Sequence, residues 1–406
     1  MKRSFPFAAC IGLAAGSLPA GADAQQAPQL TGNAFNPAIS LILDGKFTSF
    51  DNEPEDYAIS GFLLDEEAGL FNEGLSLDES ELVISSNVDD RFYGSFTAAL
   101  ATEADGSTEI EVEEAYLQTL ALPEGFTVKA GRFFSDIGYM NAQHAHRWDF
   151  ADEPLAYRAL LGTQYGDTGV QLAWLPPTDR YIEVGAEIMR GDSFPAGGAA
   201  NDGVGALSVF AHTGGDVGTA HSWRAGVSYL STESEGRESD PVDGLPLTFT
   251  GDSDVAIADF VWKWAENGNP RQRNFIVQGE YLFRREDGAV RALSFDPLPY
   301  DGDQRGFYLQ GVYQWRPRWR AGLRYDRLSA DNNVRSDLVF PGFSLSDTFD
   351  DDGRNPSRLT AMVDWSNSEF SRLRLQLAGD HSLDDSDTQL VLQYIMSLGA
   401  HGAHSF

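Results

Sequence analysis

The 406-residue sequence has one cysteine, Cys10, and after residue 24 it has no apolar run near the roughly 18 residues that a membrane-spanning helix needs. Cys10 lies in an N-terminal stretch with a short basic start, an apolar centre and a small-residue site that ends at Ala24. These features are typical of a secretory signal peptide, which we place at residues 1–24. The predicted mature chain therefore has no disulfide and no cysteine-ligated metal.

Basic residues are also scarce. The sequence has 29 Lys and Arg against 61 Asp and Glu, a formal net charge of −32. Nucleic acid is therefore not expected as a partner. An exported chain without apolar helices can still enter a membrane as a closed β-barrel, in which every backbone N–H and C=O is paired between strands.

Alternating apolar and polar residues are the sequence sign of such a barrel. In SRLRLQLAGD, residues 371–380, three leucines share one face of a strand, and Arg372, Arg374 and Gln376 share the other. Residues 255–264 and 305–316 alternate in the same way. A secreted soluble β-protein also alternates, and it stays as an alternative.

The connections between the alternating segments favour a barrel of the bacterial outer membrane. We predict an all-β fold, a transmembrane antiparallel β-barrel of about 16 strands over 38–406, after a short periplasmic segment at 25–37. Short periplasmic turns alternate with long outer loops. The long loops are placed at 51–73, 134–167, 191–204, 232–253, 286–304 and 329–356. The strands are placed near 38–50, 74–88, 91–102, 108–121, 125–133, 168–175, 180–190, 205–213, 219–231, 254–265, 272–285, 305–315, 318–328, 357–366, 369–380 and 388–399.

The chain ends in QLVLQYIMSLGAHGAHSF, residues 389–406, an alternating strand followed by a terminal aromatic residue. This ending is similar to the assembly signal of outer-membrane barrels, with Tyr394 on the lipid face and Phe406 at the terminus. The barrel-assembly machinery is therefore expected to be a partner, together with outer-membrane lipid and lipopolysaccharide.

Four segments resemble one group of proteins: EAYL at 114–117, VKAGRFF at 128–134, GYMNAQHAHRWDFADEPLAYRALLG at 138–162 and LGAHGAHSF at 398–406. The group comprises short bacterial outer-membrane proteins related to phosphate-selective-type porins and often labelled zinc-regulated TonB-dependent outer membrane receptors. The resemblance implies a homotrimeric porin-like channel for passive diffusion of small hydrophilic solutes or ions, linked to divalent metal uptake. A plug-less receptor-like barrel for zinc uptake is the alternative.

Two properties implied by those labels are not expected. A TonB-dependent transporter needs a globular plug, for which residues 25–37 leave no room. A phosphate-selective pore needs a ladder of lumenal lysines, and the sequence has four lysines in all. Anion selectivity stays open because arginines are also expected on the inner face. The predicted lumen-lining residues are Lys129, Arg224, Lys263, Arg320, Arg324, Arg372 and Arg374.

The loop at 134–167 is the longest outer loop and is rich in aromatic and charged residues. General porins fold a loop from this position into the lumen, so we predict that this loop narrows the pore; an outer cap or a trimer latch is the alternative. The predicted constriction residues are Arg132, Arg147, Asp149, Asp152, Glu153 and Arg158.

Two histidine pairs are candidate metal ligands, although no cofactor is required. His144 and His146 are expected to bind a divalent ion such as zinc, with oxygen from Asp149 or Asp152; plain hydrogen-bonding histidines are the alternative. His401 and His404 form a second candidate pair, against a tail that only serves assembly.

The acidic outer loops at 51–67, 233–252 and 347–352 are a separate source of cation binding. They are expected to hold Mg²⁺ or Ca²⁺ in bridges to lipopolysaccharide. Their negative field also concentrates cations at the mouth of the barrel.

A barrel hydrolase is the remaining alternative, and Asp380 with His381 is the one pair that suggests it. Adjacent residues on a strand point to opposite faces, so this pair does not make a working dyad. We therefore predict no enzymatic activity.

Overall fold

The computed structural model of the chain describes residues 37–399, except 55–56, 66–67, 103–107, 199–202, 243–244, 293–295, 335–338, 341–342, 345–348, 350–352, 354 and 383–384. The predicted signal peptide at 1–24 and almost all of the 25–37 segment lie outside these residues. His401, His404 and Phe406 lie outside them as well.

Within the described residues, sixteen strands form one antiparallel barrel. The strands are β1 Ala38–Ser49, β2 Gly74–Asn87, β3 Phe92–Thr102, β4 Thr108–Thr119, β5 Phe126–Phe134, β6 Gly166–Trp174, β7 Tyr181–Met189, β8 Ala206–Val217, β9 His221–Val242, β10 Leu245–Ala265, β11 Asn274–Ala292, β12 Leu298–Arg316, β13 Trp319–Val334, β14 Ser357–Ser368, β15 Ser371–His381 and β16 Asp387–Gly399. The barrel is closed because β1 pairs with β16 from Ser40 opposite Gly399 to Ser49 opposite Leu390. The predicted fold class is therefore confirmed.

The two faces of each strand differ as the alternation predicted. On β15, Leu375 and Leu377 are each 52% exposed, whereas Arg374 and Gln376 are at most 2% exposed. Tyr394 lies on the apolar outer face of β16. A continuous apolar outer surface around a polar interior is the arrangement of a barrel that lies in a bilayer, so the outer-membrane location is confirmed at the level of the fold. No helix among the described residues is long and apolar enough to span a membrane.

Strands β9 to β12 are longer than predicted, at 22, 21, 19 and 19 residues. A strand crosses a membrane with about 9–11 residues, so these hairpins extend beyond it. The prediction of loops at 232–253 and 286–304 is therefore wrong, because most of the described residues in these ranges belong to strands. Their Asp- and Gly-rich sequence is typical of loops, but the inner face carries buried residues such as Leu247, Phe249 and Val290.

The outer loop after β1 also differs from its prediction. Ile59, Phe62 and Leu64 are buried in the same apolar cluster as Leu155 and Leu160. This part of the loop therefore folds inward. The prediction of an acidic outer loop is wrong here, because the apolar residues bury their surface inside the barrel.

Candidate functional site

The segment between β5 and β6 runs inside the barrel. Its helix α1, Leu155–Leu161, has all seven residues buried and packs against β11, β12 and β13. Glu280 on β11 accepts hydrogen bonds from the backbone N–H groups of Tyr139 and Met140, each at 3.0 Å. The loop predicted at 134–167 therefore lies in the lumen, and we call it the inserted loop.

Five arginines on β13, β14 and β15 hold the inserted loop from one side. Four of them donate hydrogen bonds of 2.6–2.7 Å to its backbone carbonyls, at residues 146, 148, 152 and 153. Charged donors make hydrogen bonds that are stronger than neutral ones, so this side of the loop is firmly fixed. The arginine wall comprises Arg320, Arg324, Arg358, Arg372 and Arg374.

Asp152 is the charge partner at the centre of the arginine wall. Its Oδ1 lies 2.8 Å from Arg324 Nη2, and its Oδ2 lies 2.8 Å from Arg358 Nη1. Gln376 Nε2 also donates to Oδ1 at 2.8 Å. Burial alone raises the pKa of Asp152, but Arg324, Arg358 and Arg158 outweigh it and hold this pKa well below its usual range. Asp152 is therefore a buried carboxylate that stays charged.

Three of the predicted constriction residues do not line open space. Asp152, Glu153 and Arg158 are all buried, and Glu153 accepts a hydrogen bond from Arg158. Predicting them as pore-lining was wrong, because Asp152 pairs with the wall arginines and Glu153 pairs with Arg158 within the loop, so all three side chains are buried. Asp149 is also paired, 2.7 Å from Arg320, while Arg147 is exposed.

All seven predicted lumen-lining cations lie on the inner face. Lys129 Nζ is 3.8 Å from Asp136 Oδ2, and Arg224 and Lys263 lie over the ring of Tyr139 at 5.1 and 5.9 Å. The other four belong to the arginine wall. Every one of them therefore contacts the inserted loop or is balanced by an acidic group.

On the opposite side, the inserted loop leaves a cavity of about 670 Å³. Water reaches it, since the side chain of Glu111 is 53% exposed. Of its two basic residues, Arg132 lies 3.2 Å from Glu111, and Arg237 lies 2.9 Å from Glu286. The acidic cavity, as we call it, is lined by the carboxylates of Asp65, Glu79, Glu111, Glu113, Asp192, Glu235 and Glu238.

A β-bulge brings two adjacent glutamates to the inner face of β4. Thr97 on β3 pairs with Glu114, but the next residue, Ala98, pairs with Val112, so Glu113 is the extra residue. A bulge re-aims side chains that would otherwise alternate between faces. Glu113 and Glu114 therefore both point into the lumen, with side chains only 12% and 13% exposed.

His144 and His146 meet these glutamates. His144 Nδ1 lies 3.2 Å from Glu113 Oε2 and 3.4 Å from Glu81 Oε2, and its Nε2 lies 3.1 Å from Glu114 Oε2. His146 Nδ1 lies 2.6 Å from Glu81 Oε1. Burial alone lowers the pKa of His144, but hydrogen bonds to Glu113 and Glu114 and the charge of Glu81 raise it well above the usual value. The cluster therefore favours positive charge at its centre.

The predicted oxygen partners of these histidines were wrong. Asp149 and Asp152 pair with arginines across the lumen, and the oxygens near the histidines come from β2 and β4. One feature of the sequence indicates that β4 supplies these oxygens. Glu113 and Glu114 are adjacent in an otherwise alternating strand, EIEVEEAYL at 109–117. Two neighbouring charges in a barrel strand cannot both face inward unless the strand bulges.

The pair that suggested a hydrolase is split by the strand. Asp380 is buried, and it accepts a hydrogen bond from the backbone N–H of Ser382 at 2.8 Å. His381 is exposed. The two side chains lie on opposite sides of β15, as predicted from their adjacency.

Comparison with known sequences identifies a relative of this chain. No protein-family model matches the sequence. An uncharacterized protein of Aquifex aeolicus (strain VF5) is 31% identical over 415 residues, which cover 94% of this chain and 82% of that protein.

Several solved outer-membrane proteins have a similar fold. OmpT of Vibrio cholerae in its trimer form matches with a TM-score of 0.53 at 9% identity, over 89% of this chain and 99% of that chain. The outer membrane channel DcaP of Acinetobacter baumannii matches at 0.52 and 13% identity, over 89% and 97%. An anion-selective porin from Comamonas acidovorans matches at 0.52 and 11% identity, over 89% and 99%. At such identities these proteins share the barrel fold with this chain.

Proposed function

This chain belongs to the same family as the uncharacterized Aquifex aeolicus protein, and we propose that it forms a water-filled channel for small hydrophilic solutes or ions in the bacterial outer membrane. The observation that carries the proposal is a closed barrel with a polar inner face, in which the inserted loop leaves the acidic cavity beside it. Porin-like neighbours in fold support it. Passive diffusion through such a barrel requires no energised plug.

The charges of the lumen favour cations over anions. Carboxylates offset most of the charge of the arginine wall, since Asp149, Asp152, Asp326 and Asp364 each lie within 3.1 Å of one of its nitrogens. The acidic cavity has seven carboxylates against two arginines. A passage lined mainly by one sign of charge concentrates ions of the opposite sign. The similarity to an anion-selective porin is therefore one of fold, and the charge pattern of this chain points the other way.

Planar-bilayer recording of the refolded barrel tests this proposal. We expect single-channel conductance, and reversal potentials in a KCl gradient that show cation preference. The preference should weaken from 0.1 M to 1 M salt, where the Debye length falls from about 10 Å to about 3 Å. No conductance from a folded barrel would refute the channel, and anion preference would show that the arginine wall dominates the field.

The oligomeric state, the contacts with lipopolysaccharide and the link to zinc are further parts of this proposal. We propose a homotrimer, which the trimer form of OmpT supports by likeness of fold, and contacts with lipopolysaccharide at the outer rim. A link to zinc uptake has one observation in its favour, the cluster of His144 with Glu81 and Glu113.

A further inference from the structure

The strongest unassigned feature of the lumen is a compact cluster of three glutamates and two histidines on β2, β4 and the inserted loop. We propose that Glu81, Glu113 and His144 bind one divalent transition-metal ion through Glu81 Oε2, Glu113 Oε2 and His144 Nδ1. Each of the three residues offers a ligand atom, and these atoms lie within 4.8 Å of one another. Imidazole nitrogen with carboxylate oxygen is a ligand set that suits zinc-type ions better than Mg²⁺ or Ca²⁺, which prefer oxygen alone.

The separations of the ligand atoms fit such an ion. His144 Nδ1 lies 3.2 Å from Glu113 Oε2 and 3.4 Å from Glu81 Oε2. Ligands at about 2.0–2.1 Å from a tetrahedral ion are about 3.3–3.4 Å apart. The two distances from Nδ1 therefore accommodate an ion with little movement, and water supplies the fourth position.

The second layer of contacts is also arranged as metal sites require. A histidine that ligates a metal usually donates its other ring N–H to a carboxylate, which fixes its tautomer. Glu114 Oε2 lies 3.1 Å from His144 Nε2 and serves this purpose. His146 Nδ1 lies 2.6 Å from Glu81 Oε1, the oxygen that faces away from the proposed ion. Both outer partners thus orient the ligands without occupying the ligand atoms.

A protonated His144 held by carboxylates is the simpler occupant of this space. However, a ring N–H at Nδ1 is a single donor, whereas two carboxylate oxygens from separate strands converge on that nitrogen. A metal ion uses both oxygens and a proton uses one. The bulge at Glu113 supports the metal, because a regular β4 would present only one of the two glutamates to His144.

The site is reached from water, because Glu113 lines the acidic cavity. A bound ion would place positive charge on the wall of that cavity and cancel part of its field. We therefore expect Zn²⁺ to reduce cation conductance reversibly. This last consequence rests on the proposed channel function, but the binding itself does not.

Binding is tested on the full refolded barrel by isothermal titration with Zn²⁺, and with Co²⁺ as a spectroscopic probe of coordination geometry. We expect one ion per chain and a tetrahedral Co²⁺ spectrum. His144→Ala and Glu113→Gln should weaken binding at least about 100-fold, and the outer-partner change Glu114→Gln about 10-fold. His381→Ala and Glu124→Gln are matched controls, since both residues are exposed and lie away from the cluster.

Each outcome is decisive once heat-modifiable migration shows that the variants fold. Equal binding by wild type and His144→Ala, no binding by the folded wild type, or equal affinity for Mg²⁺ overturns the site. If His144→Ala fails to fold, the milder Glu114→Gln decides, because an unchanged affinity in that variant also contradicts the proposed geometry. A barrel that binds Zn²⁺ but conducts no ions refutes the channel and leaves the metal site standing.

Discussion

The two sides of the lumen use charge in opposite ways. On the arginine wall, Arg324, Arg358 and Arg374 are at most 1% exposed, and carboxylates and loop carbonyls surround them. In the acidic cavity, carboxylates gather with few cations, and Glu111 is 53% exposed. One side is packed and dry, and the other is open and negative.

This difference indicates a structural role for the arginine wall and a binding role for the acidic cavity. A buried charge is tolerated when it is paired and hydrogen-bonded, so the arginine wall fixes the position of the inserted loop. Like charges gathered on an open surface repel and destabilise the fold unless an outside cation relieves them. The acidic cavity is therefore the side where a solute or a metal ion is expected to bind.

The largest expected effect comes from breaking the arginine wall at its centre. Asp152→Asn keeps the shape of the side chain but removes the charge that balances Arg324 and Arg358. Leaving buried charges without their partner costs about 3–5 kcal/mol of stability. Urea unfolding of the barrel in detergent, followed by tryptophan fluorescence, measures the change.

Asp149→Asn is the matched control for that change. The Asp149 side chain is 16% exposed, and its partner Arg320 keeps Asp364 at 2.6 Å. We expect a loss of less than about 1 kcal/mol, as for other partly exposed pairs. Equal losses in both variants would contradict the difference between a dry centre and a wet edge of the arginine wall.

The pH dependence of stability sharpens the same comparison. The pKa of Asp152 is lowered in the folded chain, so its contribution is complete above the unfolded value of about 3.9 and is lost as pH falls through the folded value. The stability difference between wild type and Asp152→Asn should therefore be constant from neutral pH to about 5 and shrink below about 4. A difference that shrinks near pH 6 would mean that another group is responsible.

The barrel was predictable from the sequence because alternation reports directly which face of a strand meets lipid. Leu375 and Arg374 lie on the faces that their positions predict. Strand ends beyond the membrane were less predictable, since the hairpin of β9 and β10 is stabilised by pairing and by a small apolar cluster rather than by lipid.

The partners of the inserted loop were not predictable in this way. The sequence indicates that His144 is a candidate ligand. Its oxygen neighbours, Glu81 and Glu113, are 63 and 31 residues away in the sequence and are brought to it only by the fold. The bulge that turns Glu113 inward depends on pairing with β3. The burial of Asp152 is equally unpredictable, because the sequence does not show which arginines face the inserted loop.

The smallest expected effect concerns ion selectivity at the acidic cavity. Glu111 and Glu235 line it, are exposed and are not proposed metal ligands, so the double change Glu111→Gln, Glu235→Gln lowers its charge and keeps the His144 cluster. Each of the two charges, at about 6 Å from a passing ion, is worth about 0.7 kcal/mol in water, or roughly threefold in cation preference per charge. The shift in reversal potential should therefore be clear at 0.1 M salt and nearly absent at 1 M, where the Debye length is about 3 Å.

Glu124→Gln, in the exposed turn between β4 and β5, removes a charge away from the cavity and should leave the ion selectivity unchanged. Unchanged selectivity in the double variant at 0.1 M salt would mean that ions do not pass along the acidic cavity, and that the open side of the lumen is not the conducting side.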